Sequence, residues 1–214
     1  MISFFLPYIG NLQQAARTFN CLTLFLVLGS CANVAPRAIE NVIWDQQRML
    51  LEDLGAWQLR GRVNVAYKDE NDTPRIRWQQ QDTTYNIRLW GTFNVGMTVI
   101  EGRPGLVTME HDGELFRAAS PEDLILQQLG YELPVSYLEF WIRGLPAPDS
   151  NADMTFNELN QLSQMNQGGW TISFEDPRQY GELSLPREVV VARVEEEIRL
   201  TFFGLNWTLD SEFN

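Results

Sequence analysis

From Trp57 the sequence settles into a period of two: Trp57, Leu59, Gly61, Val63, Val65 and Tyr67 alternate with Gln58, Arg60, Arg62, Asn64 and Ala66. That period puts one set on each face of a strand, so the segment has one dry face and one wet face. The pattern then repeats. Ile76 and Trp78 alternate with Arg75, Arg77 and Gln79; Tyr85, Ile87 and Leu89 alternate with Asn86 and Arg88; Val95, Met97 and Val99 follow. Residues 106–110 pass through the turn His111-Asp112-Gly113 into 114–118, and the polar tract 68–74 reads as a hairpin loop. Consecutive strands joined by short polar turns form an antiparallel meander.

Helical signals flank the meander. Residues 35–54 place Ile39, Val42, Ile43, Met49, Leu50 and Leu54 at helical spacing, with Gly55 as the stop. Ser120-Pro121-Glu122-Asp123 supplies a cap, an N1 proline and an acidic first turn; Leu124, Ile125, Leu126 and Leu129 form the apolar face, and Gly130 closes it. A second short helix is expected over 134–143 before Gly144, followed by a Pro-rich surface loop over 145–153. Strands resume over 158–165, 170–175, 188–194, 198–203 and 205–209, with turns at 166–169 and 195–197. The sum is about eleven strands and three helices without an internal repeat. It predicts an α+β fold: one strongly curved antiparallel sheet with helices over one side or mouth.

The N-terminus follows other rules. Residues 22–29, LTLFLVLG, are continuously apolar but far short of the roughly 20 that cross a bilayer as a helix. With Arg17 ahead of them and the small pair Gly29-Ser30 behind, they fit a signal peptide over 1–30, leaving 31–214 as a single domain. Leu28-Gly29-Ser30-Cys31 resembles the bacterial lipobox, in which the cysteine thiol receives a diacylglycerol. Each buried CH₂ contributes about 0.8 kcal/mol, so several chains hold a protein on a membrane. An ordinary signal peptide with an incidental cysteine is the alternative. In the lipobox class an Asp after the cysteine favours inner-membrane retention; Ala32 stands there, so the resemblance implies outer-membrane sorting.

Little in the chain suggests catalysis. Cys21 and Cys31 are the only cysteines, so the body has no disulfide framework or cysteine zinc site. The sole histidine, His111, sits in a turn, and there is no GxSxG, HExxH, P-loop or GxGxxG. No catalytic residue, metal or cofactor is expected. The net charge of −12 gives no general attraction to nucleic acid or anionic lipid. Aromatics are plentiful instead: seven Trp, six Tyr and twelve Phe. On the inner face of a wide sheet they either fill a core or line an apolar cavity suited to acyl chains. The candidates are Trp57, Leu59, Val63, Val65, Trp78, Tyr85, Ile87, Leu89, Met97, Val99 and Trp141.

Several motifs together resemble the LolB family of outer-membrane lipoprotein receptors. They are the lipobox Cys31; Trp57-Gln-Leu-Arg-Gly61-Arg; Ile76-Arg-Trp78-Gln-Gln; Tyr85-Asn-Ile-Arg-Leu89-Trp-Gly91; Ala119-Ser-Pro-Glu-Asp-Leu124; Leu129-Gly-Tyr-Glu-Leu-Pro134-Val; Trp141-Ile-Arg-Gly144-Leu-Pro146-Ala-Pro148; Gly169-Trp170-Thr-Ile; and Leu205-Asn-Trp207. The resemblance implies a half-open antiparallel β-barrel with a helical lid. Its interior would accept the acyl chains of a lipoprotein delivered by the periplasmic carrier LolA and pass the cargo into the outer membrane, without covalent chemistry. It implies a monomer that faces the periplasm, held by its own lipid anchor at Cys31. The family's membrane-insertion loop, usually Gly-Pro-apolar-Gly, reads here Gly91-Thr92-Phe93-Asn94, with Phe93 in the apolar place. A scaffolding outer-membrane lipoprotein is the competing reading, and a periplasmic lipid hydrolase a third.

Overall fold

The computed structural model describes residues 36–91, 96–148 and 150–209, with side chains from Trp44 onward. The chain divides into compact units Met1–Ala38 and Ile39–Asn214, and the features below belong to the second. Cys31 and residues 92–94 of the expected insertion loop lie outside the described residues.

After helix α1 (Pro36–Glu52) come strands β1 (Ala56–Tyr67), β2 (Glu70–Asp72), β3 (Arg75–Gln81), β4 (Thr84–Trp90), β5 (Thr98–Arg103), β6 (Leu106–His111) and β7 (Glu114–Ala118). Helices α2 (Pro121–Leu129) and α3 (Val135–Trp141) follow. The chain ends with β8 (Ala152–Phe156), β9 (Leu162–Gln167), β10 (Trp170–Glu175), β11 (Arg178–Tyr180), β12 (Leu183–Leu185), β13 (Glu188–Arg193) and β14 (Ile198–Leu209). One antiparallel sheet runs β7-β6-β5-β4-β3-β1-β14-β13-β10-β9-β8, with β2 paired to β1 and β11-β12 a separate hairpin. β7 and β8 are the edges, so the sheet curls without closing.

Its centre is the long pair β1/β14. Trp57 to Arg60 match Leu209 to Asn206, then the register shifts so that Arg62 opposes Phe203. Gly61 sits in that shift: a Cβ there would lie 2.8 Å from Leu205 Cδ2 and 2.9 Å from the Phe203 carbonyl. Gly204 opposite has φ +63, the left-handed region that a side chain disfavours. The result is a β-bulge that bends the sheet at its middle. The sequence reading split β14 in two at this point; the strand runs through.

The α2 signals work as expected. Ser120 Oγ accepts from the Asp123 N–H at 3.1 Å, Pro121 opens the helix, and Gly130, at φ 77, donates its N–H to Leu126 O at 3.0 Å. Trp44 and Leu51 of α1, Leu124 of α2, and Leu138 and Trp141 of α3 belong to the same hydrophobic cluster as the inward strand residues. The three helices therefore cover the concave side of a half-open barrel, as a lid.

Several expectations need correction. Among the described side chains of α1, from Trp44 onward, the buried ones are Trp44 and Leu51, seven apart, whereas Met49 and Leu50 are exposed. Trp44 meets Phe156 edge-on with ring centroids 5.9 Å apart, and the large indole area sets which stripe faces the sheet. On β5 the inward residues are Thr98 and Ile100, because Leu89 pairs with Thr98 and Ile87 with Ile100. A slip of one residue exchanges the faces, so Val99 points outward and Met97, before the strand, is 60% exposed. Segment 145–153 is not a surface loop throughout: Leu145 and Ala147 are buried, and β8 begins at Ala152. Among the described residues the strand count rises to fourteen, with β2 inside the expected 68–74 loop, β8 lying ahead of the strand expected over 158–165, of which only the part from Leu162 is strand (β9), and the β11-β12 hairpin unforeseen.

Candidate functional site: the lidded interior

The inward strand residues meet in a tryptophan cluster. Trp57 lies with its ring centroid 5.4 Å from both Trp78 and Trp207, and Trp141 from the lid lies 6.3 Å from Trp170. Of the sequence candidates, Trp57, Leu59, Val63, Trp78, Ile87 and Trp141 are buried together. Val65, Tyr85 and Leu89 are half-buried against that cluster. Met97 and Val99 are not part of it.

The indole N–H groups need partners in so apolar a setting. Trp78 Nε1 donates to Gln80 Oε1 at 3.0 Å, and Trp207 Nε1 to Pro186 O at 2.9 Å. Trp141 Nε1 donates to Gln167 Oε1 at 2.7 Å. Gln167, only 2% exposed, goes further: its Oε1 also accepts from the Ala147 N–H at 2.9 Å, and its Nε2 donates to Ala147 O and Ser150 O at 2.9 Å each. One amide thereby ties β9 to the lid helix α3 and to the segment after it. Sequence reasoning missed Gln167 because a glutamine before Gly168-Gly169 reads as a turn residue.

Other polar contacts fasten the lid. Glu122 of α2 accepts from the Ser136 N–H at 2.7 Å and from Ser136 Oγ at 3.0 Å, which fixes α2 to α3. Gln47 of α1 donates to Glu182 O at 3.2 Å and accepts from the Ser184 N–H at 2.6 Å, which pins α1 to the β11-β12 hairpin. Arg143, buried at the end of α3, donates from Nη1 to Leu51 O at 2.8 Å and from Nε to Glu139 O at 3.1 Å. Its guanidinium stands over the Trp57 and Phe140 rings at 5.7 and 5.8 Å. Burial depresses the Arg143 pKa and raises that of Glu139, each against the pull of the other. At 3.9 Å the ion pair is too loose to offset desolvation, so the backbone carbonyls are the stronger partners.

Tyr85 of β4 also projects inward, with its ring over Gly102 where a Cβ would collide with it. Its hydroxyl has no hydrogen-bond partner among the described residues. Burial first, then the Glu122 and Glu139 charges, push its pKa up to about 12.

At the edge of α1 lies a groove of about 390 Å³ with a mixed polar and apolar lining. Trp44, Leu50, Leu51, Leu162 and Phe174 line it, with Leu159 at its rim 75% exposed. Sequence reading had no signal for this groove beyond a leucine in the otherwise polar 157–161 turn. Among the described residues no group of three or more His, Cys, Asp and Glu side chains could hold a metal ion, and no helix is long and apolar enough to cross a membrane. His111 bonds through Nδ1 to Thr98 Oγ1 at 2.8 Å, at the end of β6.

The class is thus a half-open antiparallel barrel with an aromatic interior shut by three helices. The family model described as outer membrane lipoprotein LolB matches residues 55–204. The outer-membrane lipoprotein LolB of Chromohalobacter salexigens is 36% identical over 201 residues, covering 92% of this chain and 93% of that protein. That of Stutzerimonas stutzeri is 33% identical over 172 residues, covering 78% and 84%. The chain belongs to the LolB family. Among solved structures, a LolA superfamily protein from Nitrosomonas europaea overlaps with a TM-score of 0.49 at 7% identity, covering 79% of this chain and 91% of that one.

Proposed function

We propose that this protein is an outer-membrane lipoprotein receptor. It takes the acyl chains of a lipoprotein from the carrier LolA into its interior and delivers the cargo to the outer membrane. The membership of residues 55–204 in the LolB family carries this reading. The interior supports it: aromatic rings that acyl chains could cover lie beneath three helices joined to the sheet by apolar packing and by discrete polar contacts. Residues 1–30 act as the signal peptide, and Cys31 carries the lipid anchor that holds domain 31–214 at the periplasmic face. No bond is made or broken in the cargo, so direction comes from a higher affinity for acyl chains here than on the carrier.

The deciding experiment loads purified LolA with a labelled lipoprotein, adds this protein, and follows the label. Passage of the cargo to this protein is expected; cargo that stays on LolA overturns the reading. Within the same reading Phe93 of the 91–94 loop enters lipid during release. Phe93→Glu should accept cargo and fail to place it in vesicles, and normal insertion by that variant removes Phe93 from the mechanism. A scaffold would bind neither LolA nor cargo.

A further inference from the structure

The wet face of the sheet is not as acidic as the chain. Sixteen Lys and Arg face 28 Asp and Glu overall. Yet three adjacent strands carry arginines directly opposite one another on the outer face. Arg60 of β1 pairs with Arg77 of β3, which pairs in turn with Arg88 of β4. One rung further, Arg62 pairs with Arg75, flanked by Phe203 on β14 and Trp90 on β4. Arg60, Arg62, Arg75 and Arg88 are exposed and Arg77 half-buried, while Leu59, Val63, Ile76, Trp78 and Ile87 between them are buried on the other face.

Like charges directly across a strand pair destabilise a sheet, because their Cβ atoms stand about 5 Å apart. Their field is felt here: burial, then Arg60 and Arg88, lower the Arg77 pKa. Among the described residues no carboxylate forms an ion pair with any of the five; Arg77 Nε rests on Gln58 Oε1 at 2.7 Å and Arg88 Nε on Asn86 Oδ1 at 3.2 Å. Internal architecture does not account for an uncompensated ladder of this kind. Anionic groups outside the molecule would.

We propose that the arginine ladder of β1, β3 and β4 docks the protein on anionic phospholipid headgroups. The guanidinium fork suits phosphate oxygens bidentately. Of the ladder's aromatic ends, Trp90 has the amphipathic character of rings at a membrane interface, and Phe203 adds apolar surface. Trp90 is the last residue of β4, at the end of the sheet where the second rung stands. The lipid anchor fixes the chain to the membrane at one point only. A second, charged contact would set which side of the barrel faces the bilayer. The net charge of −12 repels the same surface at long range, so the ladder acts at contact distance, within a Debye length of about 8 Å.

This inference rests on the receptor reading only for its biological orientation, and its test uses neither cargo nor carrier. Purified full-length chain bearing Cys31→Ala, which carries no acyl group, is cosedimented with phosphatidylcholine vesicles with or without phosphatidylglycerol. The triple variant Arg62→Gln/Arg75→Gln/Arg88→Gln is compared with Arg103→Gln/Arg117→Gln/Arg178→Gln, exposed arginines outside the two rungs. At about fivefold per arginine the ladder variant should lose roughly a hundredfold in partitioning to anionic vesicles. The control should lose far less, neutral vesicles should not discriminate, and thermal unfolding of the ladder variant should not fall. The lysine triple Arg62→Lys/Arg75→Lys/Arg88→Lys should keep most of the binding. Equal partitioning of ladder and control variants overturns the proposal, as does indifference of the unsubstituted ladder to phosphatidylglycerol.

Discussion

Replacing Gln167 by leucine keeps a side chain of comparable bulk at the site and removes every polar contact that Gln167 makes. Three buried partners are then orphaned: the Trp141 indole N–H, the Ala147 N–H and the Ala147 carbonyl. The Ser150 carbonyl, only part-buried, can turn to water. A buried polar group left without a partner costs about 1–3 kcal/mol, so three give roughly 4 kcal/mol once some relaxation of the 147–150 segment is allowed. With an m-value of about 2 kcal/mol/M in urea, the unfolding midpoint should fall by about 2 M. Tryptophan fluorescence reads the transition directly, because Trp141 and Trp170 are close neighbours. A Gln167→Leu protein whose midpoint moved by less than about 0.5 M would show that the clamp contributes little, and that apolar packing alone holds the lid.

Three further outcomes follow from other contacts. Gly61→Ala drives a Cβ against Leu205 and the Phe203 carbonyl in the sheet's central bulge, and should lower stability by roughly 2 kcal/mol in urea titration. Tyr85→Phe removes a hydroxyl that has no partner among the described residues, and should leave stability at neutral pH unchanged or raised. Because the folded pKa of Tyr85 stands near 12 against 10 for the free side chain, its contribution is full below pH 10 and is lost as the pH rises through 12; alkaline unfolding in that window should be blunted in Tyr85→Phe. Arg143→Met frees Leu51 O from its buried donor, so amide hydrogen exchange should quicken over 44–52 and stay unchanged in β1 and β14.

Much of the fold was legible in the sequence where one physical constraint acted alone. β1 has a wet face and a dry face, and its alternation marks both, except at Gln58, which is buried and accepts from Arg77 Nε. α2 carries its cap, proline, acidic turn and closing glycine within eleven residues, and the structure uses each of them. Legibility failed where a neighbour decided. Thr98 points inward because Leu89 holds that register, and Met97 then has no place in the interior, although it is the more apolar residue. Leu50 looks like a core residue until Trp44 and Leu51 claim the sheet-facing stripe. Gln167 and Arg143 look like surface residues, and their burial is intelligible only once the carbonyls and N–H groups they satisfy are brought to them by other elements. The interior's aromatic character could be read in advance; the polar fastenings of its lid could not.

Those fastenings bear on how such an interior could open. If the lid were sealed by apolar packing alone, lifting it in water would expose Trp57, Trp141 and their neighbours at about 25 cal/mol for each Å² uncovered, with nothing in return. On the proposed receptor reading, an acyl chain would change that balance by covering the same rings as the helices withdraw. The polar contacts respond differently: the Arg143 to Leu51, Glu122 to Ser136 and Gln47 to Ser184 bonds are discrete, and each broken partner can find water at the lid's edge. Cargo can shift the lid only by its difference in affinity for the open and closed states. On the proposed receptor reading, acyl chains would supply that difference through the rings. A lid weakened at Arg143 should therefore load cargo more readily than the unaltered protein, and should also release it more readily. Transfer kinetics with Arg143→Met in which loading stayed as slow as in the unaltered protein would place Arg143 outside the opening step.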